Sequence, residues 1–196
     1  MVPAPRRHAV MDARPPRWMG DFNAGVGPTG VTGRAPYAAW SRWARNQGAA
    51  RSDNHPMRRT YVSLYVHAVW STEHRAALLE EVWEAHLYAT MGARCVDLGA
   101  CPIAIGGVAD HVHVLARLPA TLAPSRLVGD LKGETSHLIR HRLKPGCDFH
   151  WQRGYGVFSV SARGTDFVRE YVLTQRHHHA VGTLIPTLER THIDGY

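Results

Sequence analysis

The sequence predicts an α+β domain of the ferredoxin-like class, an antiparallel sheet with helices packed on one of its faces. The main observation is the order of patterns from residue 60 onward. Segments with period-two alternation exchange with segments of helical spacing in the order β-α-β-β-α-β-α. Hydrophobic residues make up 44% of the 196-residue chain, which is enough for a packed core.

Each element can be bounded from its own pattern and from the residues that break it. Gly92 suits the end of the first helix, Ser125 is a candidate cap of the second, and Thr165 or Asp166 is a candidate cap of the last. The assignments are strands over 60–71, 94–118 (two or three strands) and 151–162, and helices over 77–93, 123–143 and 165–182.

The first 56 residues differ in composition from the remainder. They are rich in Pro, Gly, Ala and Arg, and they hold eight arginines against three aspartates, whereas the rest of the chain is almost neutral. This composition predicts a disordered basic arm over 1–56, or a segment upstream of a true start at Met57. A domain over 57–183 and a C-terminal tail over 184–196 follow.

Several classes of protein are excluded by composition. No run of 18 apolar residues is present and no secretory signal begins the chain, so we expect a cytoplasmic protein without a membrane partner. The three cysteines lack zinc-ligand spacing, which favours free thiols in a reducing compartment. The net charge of +7 indicates a polyanionic partner.

Two histidines share one face of a predicted strand in the stretch ADHVHVLARL (109–118). Side chains at positions i and i+2 of a strand point the same way, so His111 and His113 project together. Paired imidazoles can bind a divalent metal if a further ligand comes from elsewhere. Two partly exposed histidines in an ordinary strand are the alternative.

The last predicted helix carries a second pair. Tyr171 and Gln175 lie four residues apart and therefore on one helical face. A glutamine carbonyl is a suitable ligand for Mg²⁺ or Mn²⁺, and a tyrosine beside such a metal can act as a nucleophile on a phosphodiester. A structural aromatic at the edge of the core is the other interpretation of Tyr171.

Taken together, these residues resemble a known family. The chain from about 58 to 182 is similar to the single-tyrosine HUH transposases of bacterial insertion sequences (the IS200-like group) and to their REP-associated relatives, in which HUH denotes His, hydrophobic residue, His. The resemblance rests on VHAVWST (66–72), ADHVHVL (109–115), LKGETS (131–136), WQRGYGVFSVS (151–161) and YVLTQ (171–175). It implies that His111, His113 and Gln175 bind the metal, Mg²⁺ or Mn²⁺, and that Tyr171 is the nucleophile.

The same resemblance implies a reaction and partners. Tyr171 attacks a phosphate of single-stranded DNA, which leaves a 5′-phosphotyrosine and a free 3′-OH, and a second 3′-OH later rejoins the strands. Members of the family recognise DNA hairpins and typically act as homodimers in which the tyrosine helix completes the partner's site. The long N-terminal segment departs from the compact family pattern.

Further residues are candidates for supporting roles. Asp110 is a candidate acceptor that orients a metal-binding histidine, and the alternative is that it simply ends a turn. A solvated helix end is favoured for the run His177–His179, because consecutive helical residues diverge by about 100°. Basic side chains on the second helix could grip a hairpin backbone or simply face solvent: Arg126, Lys132, Arg140 and Arg142.

Three functions from different classes remain open at this stage. The leading one is a DNA-strand transferase. A second is a hairpin-binding protein of the same fold without mobile-element activity. The intact set of one tyrosine, two histidines and one glutamine argues against this second function. The third is an unrelated metal-dependent hydrolase that uses water as its nucleophile and leaves Tyr171 dispensable.

Overall fold

A four-stranded antiparallel sheet forms the centre of the computed structural model, which describes residues 61–191. The order across the sheet is β2-β3-β1-β4. The strands are β1 (Leu64–Ser71), β2 (Cys101–Val108), β3 (His111–Leu118) and β4 (Gly156–Val160). The predicted arm over 1–56, the alternative start at Met57 and residues 192–196 of the predicted tail lie outside the described residues.

Within residues 61–191, four α-helices accompany the sheet. They are α1 (Glu84–Asp97), α2 (Pro124–Leu138), α3 (Thr165–Leu173) and α4 (Gln175–Val181). A π-helical turn, Ile139–Leu143, extends α2. The chain order and the strand order together confirm the ferredoxin-like α+β class.

The two histidines lie on β3, which is an inner strand paired with β1 on one side and β2 on the other. In this register His113 lies opposite Val69 of β1 and opposite Gly106 of β2. Alternation sends Val112 and Val114 to the opposite face, where they enter the main core. The period-two pattern therefore anchors the strand and presents both imidazoles on one face, as predicted.

Helices cover both faces of the sheet, which corrects the prediction that they lie on one. The main core is closed by α1 and α2, through residues such as Leu87, Met91 and Leu131. On the other face Val168 and Val172 of α3 pack against the sheet in a smaller cluster. The histidines share this second face with α3, because residues of equal parity along β3 point to the same side.

The close approach of α3 to the sheet depends on a glycine. A Cβ at Gly106 of β2 would lie 2.1 Å from the carbonyl oxygen of Val172. Only a residue without a side chain lets a helix backbone come so near. Because Val172 adjoins Tyr171, this contact also sets the depth at which the tyrosine sits.

The helix ends and caps that were proposed from the sequence differ from those observed. Helix α1 runs past Gly92 to Asp97, because Gly92 is buried within the helix rather than placed after it. Helix α2 begins at Pro124, whose fixed φ suits a first helical position, so Ser125 is not its cap. Gly164, and neither Thr165 nor Asp166, precedes α3.

The predicted last helix is in fact two helices. Thr174 has φ −110° and ψ 22°, which is outside the helical range, and it separates α3 from α4. Gln175 is consequently the first residue of α4, while Tyr171 lies on α3. No helix within residues 61–191 is long and apolar enough to cross a membrane.

Candidate metal and nucleophile site

His111 and His113 are buried side by side on β3. Both are 0% exposed, and their ring centroids are 4.9 Å apart. The Nε2 atom of each ring is buried and lies near the carboxylate of Glu189, 3.2 Å away for His111 and 3.5 Å away for His113. Two buried ring nitrogens that face a carboxylate suit a cation, which would satisfy all three atoms.

Asp110 orients His111, as an acceptor next to a metal-binding histidine would. Its Oδ1 atom lies 2.6 Å from His111 Nδ1, and its Oδ2 atom pairs with Arg75 at 3.1 Å. A proton held on Nδ1 by this carboxylate leaves the lone pair on Nε2, the form that binds metal. Burial opposes a charge on His111, but the carboxylates of Asp110 and Glu189 outweigh it and raise its pKa.

His67 does the same for His113, and the sequence analysis missed it. His67 Nε2 lies 2.9 Å from His113 Nδ1, and the two rings stack at 5.1 Å. Burial, aided by the neighbouring His113, lowers the pKa of His67 to about 3, so His67 remains neutral and shares a hydrogen bond with His113 Nδ1. Burial also lowers the pKa of His113. Alternation along β1 was the available signal, once β1 is paired with β3.

Tyr171 reaches the histidines from α3 of the same chain. Its ring centroid lies 6.1 Å from that of His113, with the rings nearly perpendicular. Its hydroxyl donates to Glu189 and accepts a hydrogen bond from the backbone N–H of Ile185 at 3.1 Å. Burial, reinforced by Glu189, raises the pKa of Tyr171 to about 12.

Gln175 is buried next to Tyr171. It is 1% exposed, and its Nε2 atom donates to the backbone carbonyl of Tyr171 at 3.3 Å. Its Oε1 atom is buried and has no hydrogen-bond partner among residues 61–191. The carbonyl oxygen predicted to bind metal is thus available for a ligand, even though α3 and α4 are separate helices.

Glu189 is the second residue that the sequence analysis missed. It belongs to the C-terminal segment (residues 182–191), most of which the sequence analysis placed in a tail beyond the domain. Its Oε2 atom lies 3.2 Å from His111 Nε2 and 3.5 Å from His113 Nε2. Burial opposes its ionisation, but the two histidines and Tyr171 lower its pKa well below the ordinary range. No local pattern marks this residue, because the contacts join distant parts of the chain.

Two histidines of the HHH run also face the site, in contrast to the solvated helix end that was favoured. The ring of His178 lies 4.7 Å from that of Tyr171, and the ring of His179 lies 4.9 Å from that of His111. Both are partly buried, whereas His177 is exposed. The break at Thr174 turns α4 so that this edge of the helix lies over the pair.

The four basic residues predicted to contact DNA do not share one environment. Arg126 is largely exposed and pairs with Asp130, and both Arg140 and Arg142 are exposed on the π-helical turn. Lys132 instead donates to the backbone carbonyls of Gln152 and Gly154 at 2.9 and 2.7 Å. Its ammonium group thus ties α2 to the loop before β4.

The chain is similar to several known proteins. The family described as IS200-like transposase matches residues 60–175, more than half of the chain. The crystal structure of a candidate transposase from Deinococcus radiodurans R1 is 21% identical, with a TM-score of 0.48 over 62% of this chain and 97% of that chain. A REP-associated tyrosine transposase bound to a REP hairpin is 16% identical, with a TM-score of 0.49 over 64% of this chain and 74% of that chain. No curated protein matches the chain.

Proposed function

Since the chain belongs to the IS200-like transposase family, we propose that it cleaves and rejoins single-stranded DNA at hairpins, with Tyr171 as the nucleophile. The observation that carries the proposal is the placement of the Tyr171 ring 6.1 Å from that of His113 within one chain. A tyrosine hydroxyl beside two buried imidazoles is the arrangement that phosphodiester attack requires.

His111, His113 and Gln175 would hold Mg²⁺ or Mn²⁺. The support is the donor set itself, because two ring nitrogens and one amide oxygen are buried here, and the amide oxygen makes no hydrogen bond within the described chain. When bound, the metal supplies positive charge that polarises the scissile phosphate. Asp110 and His67 contact the Nδ1 atoms of the two rings and hold the rings with Nε2 toward the site.

In the cleavage step the Tyr171 oxygen forms a bond to phosphorus, and the bond from phosphorus to the 3′ oxygen breaks. The 5′ end of the downstream strand is then attached to Tyr171, and the released 3′ oxygen takes up a proton. With a pKa of about 12 the hydroxyl is protonated at neutral pH, so its proton must leave during attack. The carboxylate of Glu189 accepts that hydrogen bond and orients the hydroxyl oxygen, while the proton is released to solvent. The phosphotyrosine keeps the bond energy for rejoining to a second 3′-OH.

Hairpin binding is assigned to the exposed basic residues of the second helix region. Arg126, Arg140 and Arg142 are accessible to phosphate oxygens, whereas Lys132 would act by holding the loop after Gln152. We further propose that the protein works in the cytoplasm as a homodimer, which follows from family membership. The tyrosine and histidines of one chain already meet, so cleavage in cis is the arrangement that the geometry supports.

A covalent adduct tests this function. Wild-type protein is incubated with Mn²⁺ and single-stranded DNA that carries the palindromes flanking its gene, and the product is separated in SDS. We expect a protein–DNA band that resists SDS. Peptide mapping of this band should show that the DNA is attached to the peptide that contains Tyr171. Tyr171→Phe should bind the same DNA without forming the band, and Tyr155→Phe, which changes an exposed tyrosine, should form it normally. Nicking without any adduct would instead favour a hydrolase that uses water.

A further inference from the structure

The carboxylate of Glu189 occupies the space between the nucleophile and the histidine pair. One oxygen accepts the hydrogen bond of Tyr171, and the other lies 3.2 Å from His111 Nε2 and 3.5 Å from His113 Nε2. Two ligands at right angles on one metal, each about 2.1 Å from it, lie about 3 Å apart. The three atoms are therefore spaced as ligands of a common ion would be.

The orientation of the rings supports the same conclusion. Asp110 and His67 each lie beside an Nδ1 atom, so the Nε2 atoms of both rings point toward Glu189. An unprotonated ring nitrogen and a carboxylate at this distance repel one another unless a cation lies between them. A divalent cation satisfies all three atoms at once.

The chemistry of hard cations also calls for an anionic oxygen. Mg²⁺ and Mn²⁺ prefer carboxylates, yet His111, His113 and Gln175 are all neutral donors. Asp110 cannot supply the charge directly, because it is engaged with the far nitrogen of His111 and with Arg75. Glu189 is the carboxylate that approaches both Nε2 atoms.

Contacts of the neighbouring residues fix the position of Glu189. A Cβ at Gly156 of β4 would lie 2.0 Å from the carbonyl oxygen of Arg190, so this glycine lets the C-terminal segment run against the sheet edge. Gln152 donates to the backbone carbonyl of Thr191 at 3.4 Å. The two residues that follow Glu189 therefore pack against the sheet edge and the loop before β4. The side chain of Glu189 is 13% exposed.

We propose that Glu189 is a ligand of the divalent metal, supplied by the C-terminal segment and lying beyond the part of the chain that matches the family. It adds a carboxylate to the pair His111 and His113 and links the metal to the Tyr171 hydroxyl. This inference rests on the metal site of the proposed function.

Mn²⁺ affinity, measured by calorimetry on the full chain without DNA, tests the assignment. Glu189→Gln keeps the shape of the side chain and removes its charge. We expect the variant to bind Mn²⁺ at least about tenfold more weakly, because mutation of a residue that only hydrogen-bonds to a metal ligand already lowers metal affinity by about that factor. Glu170→Gln, an exposed glutamate on α3, is the matched control and should bind Mn²⁺ like the wild type. Thermal unfolding of each metal-free variant establishes that it is folded.

Glu189→Ala separates a ligand from a side chain that only fills the site. If Glu189 is a ligand, Glu189→Ala binds Mn²⁺ more weakly, as Glu189→Gln does. If the Glu189 side chain only blocks the site, Glu189→Ala binds Mn²⁺ as tightly as the wild type or more tightly. Unchanged or tighter binding by both Glu189 variants would overturn the assignment. His111→Ala distinguishes the two proposals: if it binds Mn²⁺ like the wild type, the histidine site itself is wrong, and if it alone loses Mn²⁺, only the role of Glu189 is wrong.

Discussion

Gly106→Ala tests whether the depth of α3 against the sheet positions the nucleophile. The added Cβ would lie 2.1 Å from the carbonyl oxygen of Val172, and both atoms belong to backbone segments that cannot swing aside. A tolerable contact needs about 3.2 Å, so α3 must move outward by about 1 Å, at a cost of about 1–3 kcal/mol in the free energy of unfolding. A displacement of about 1 Å at a reacting group can lower the rate about 100-fold.

We therefore expect Gly106→Ala to form the phosphotyrosine adduct about 100-fold more slowly and to melt at a lower temperature. The assay is the initial rate of adduct formation on hairpin DNA, measured at a temperature where circular dichroism shows a folded variant. Gly129→Ala is the matched control, because its Cβ meets no atom within 4 Å and alanine favours the helix interior by about 1 kcal/mol. A Gly106→Ala protein with the rate and melting temperature of the wild type would refute the dependence of Tyr171 on this contact.

Two other predictions concern the histidine pair and the N-terminal arm. Asp110→Asn removes the charge that holds the Nδ1 proton of His111, so this variant should bind Mn²⁺ about 10–100-fold more weakly. Its melting temperature should change little. An affinity for Mn²⁺ equal to that of the wild type, measured by calorimetry, would exclude an orienting role for Asp110. Deletion of residues 1–56 should leave a folded protein that forms the adduct, because no candidate site residue lies there; insoluble or inactive protein would show that these residues belong to the domain.

Local pattern was sufficient for the order of the elements and for part of the site. Alternation along β3 put His111 and His113 on one face, because successive side chains of a strand point to opposite sides whatever surrounds them. The four-residue spacing likewise brought Gln175 next to Tyr171, despite the break between α3 and α4. These relations involve residues a few positions apart, so they depend only on the local strand or helix and not on how the elements pack.

The face on which α3 packs was not determined by its own sequence. Its apolar stripe, with Val168 and Val172, could have met either side of the sheet. The choice follows from Gly106, which leaves room for the helix backbone on the face that carries the histidines. Complementary shape between two distant segments decided it.

The remaining site residues were decided by tertiary structure alone. His67 reaches His113 across 46 positions of sequence, and Glu189 returns to β3 from the segment that follows α4. The sequence by itself therefore determined the ferredoxin-like order, the paired histidines and the tyrosine. Only folding determined which carboxylate faces them, because a contact between distant residues depends on where every intervening element packs, and no local period records it.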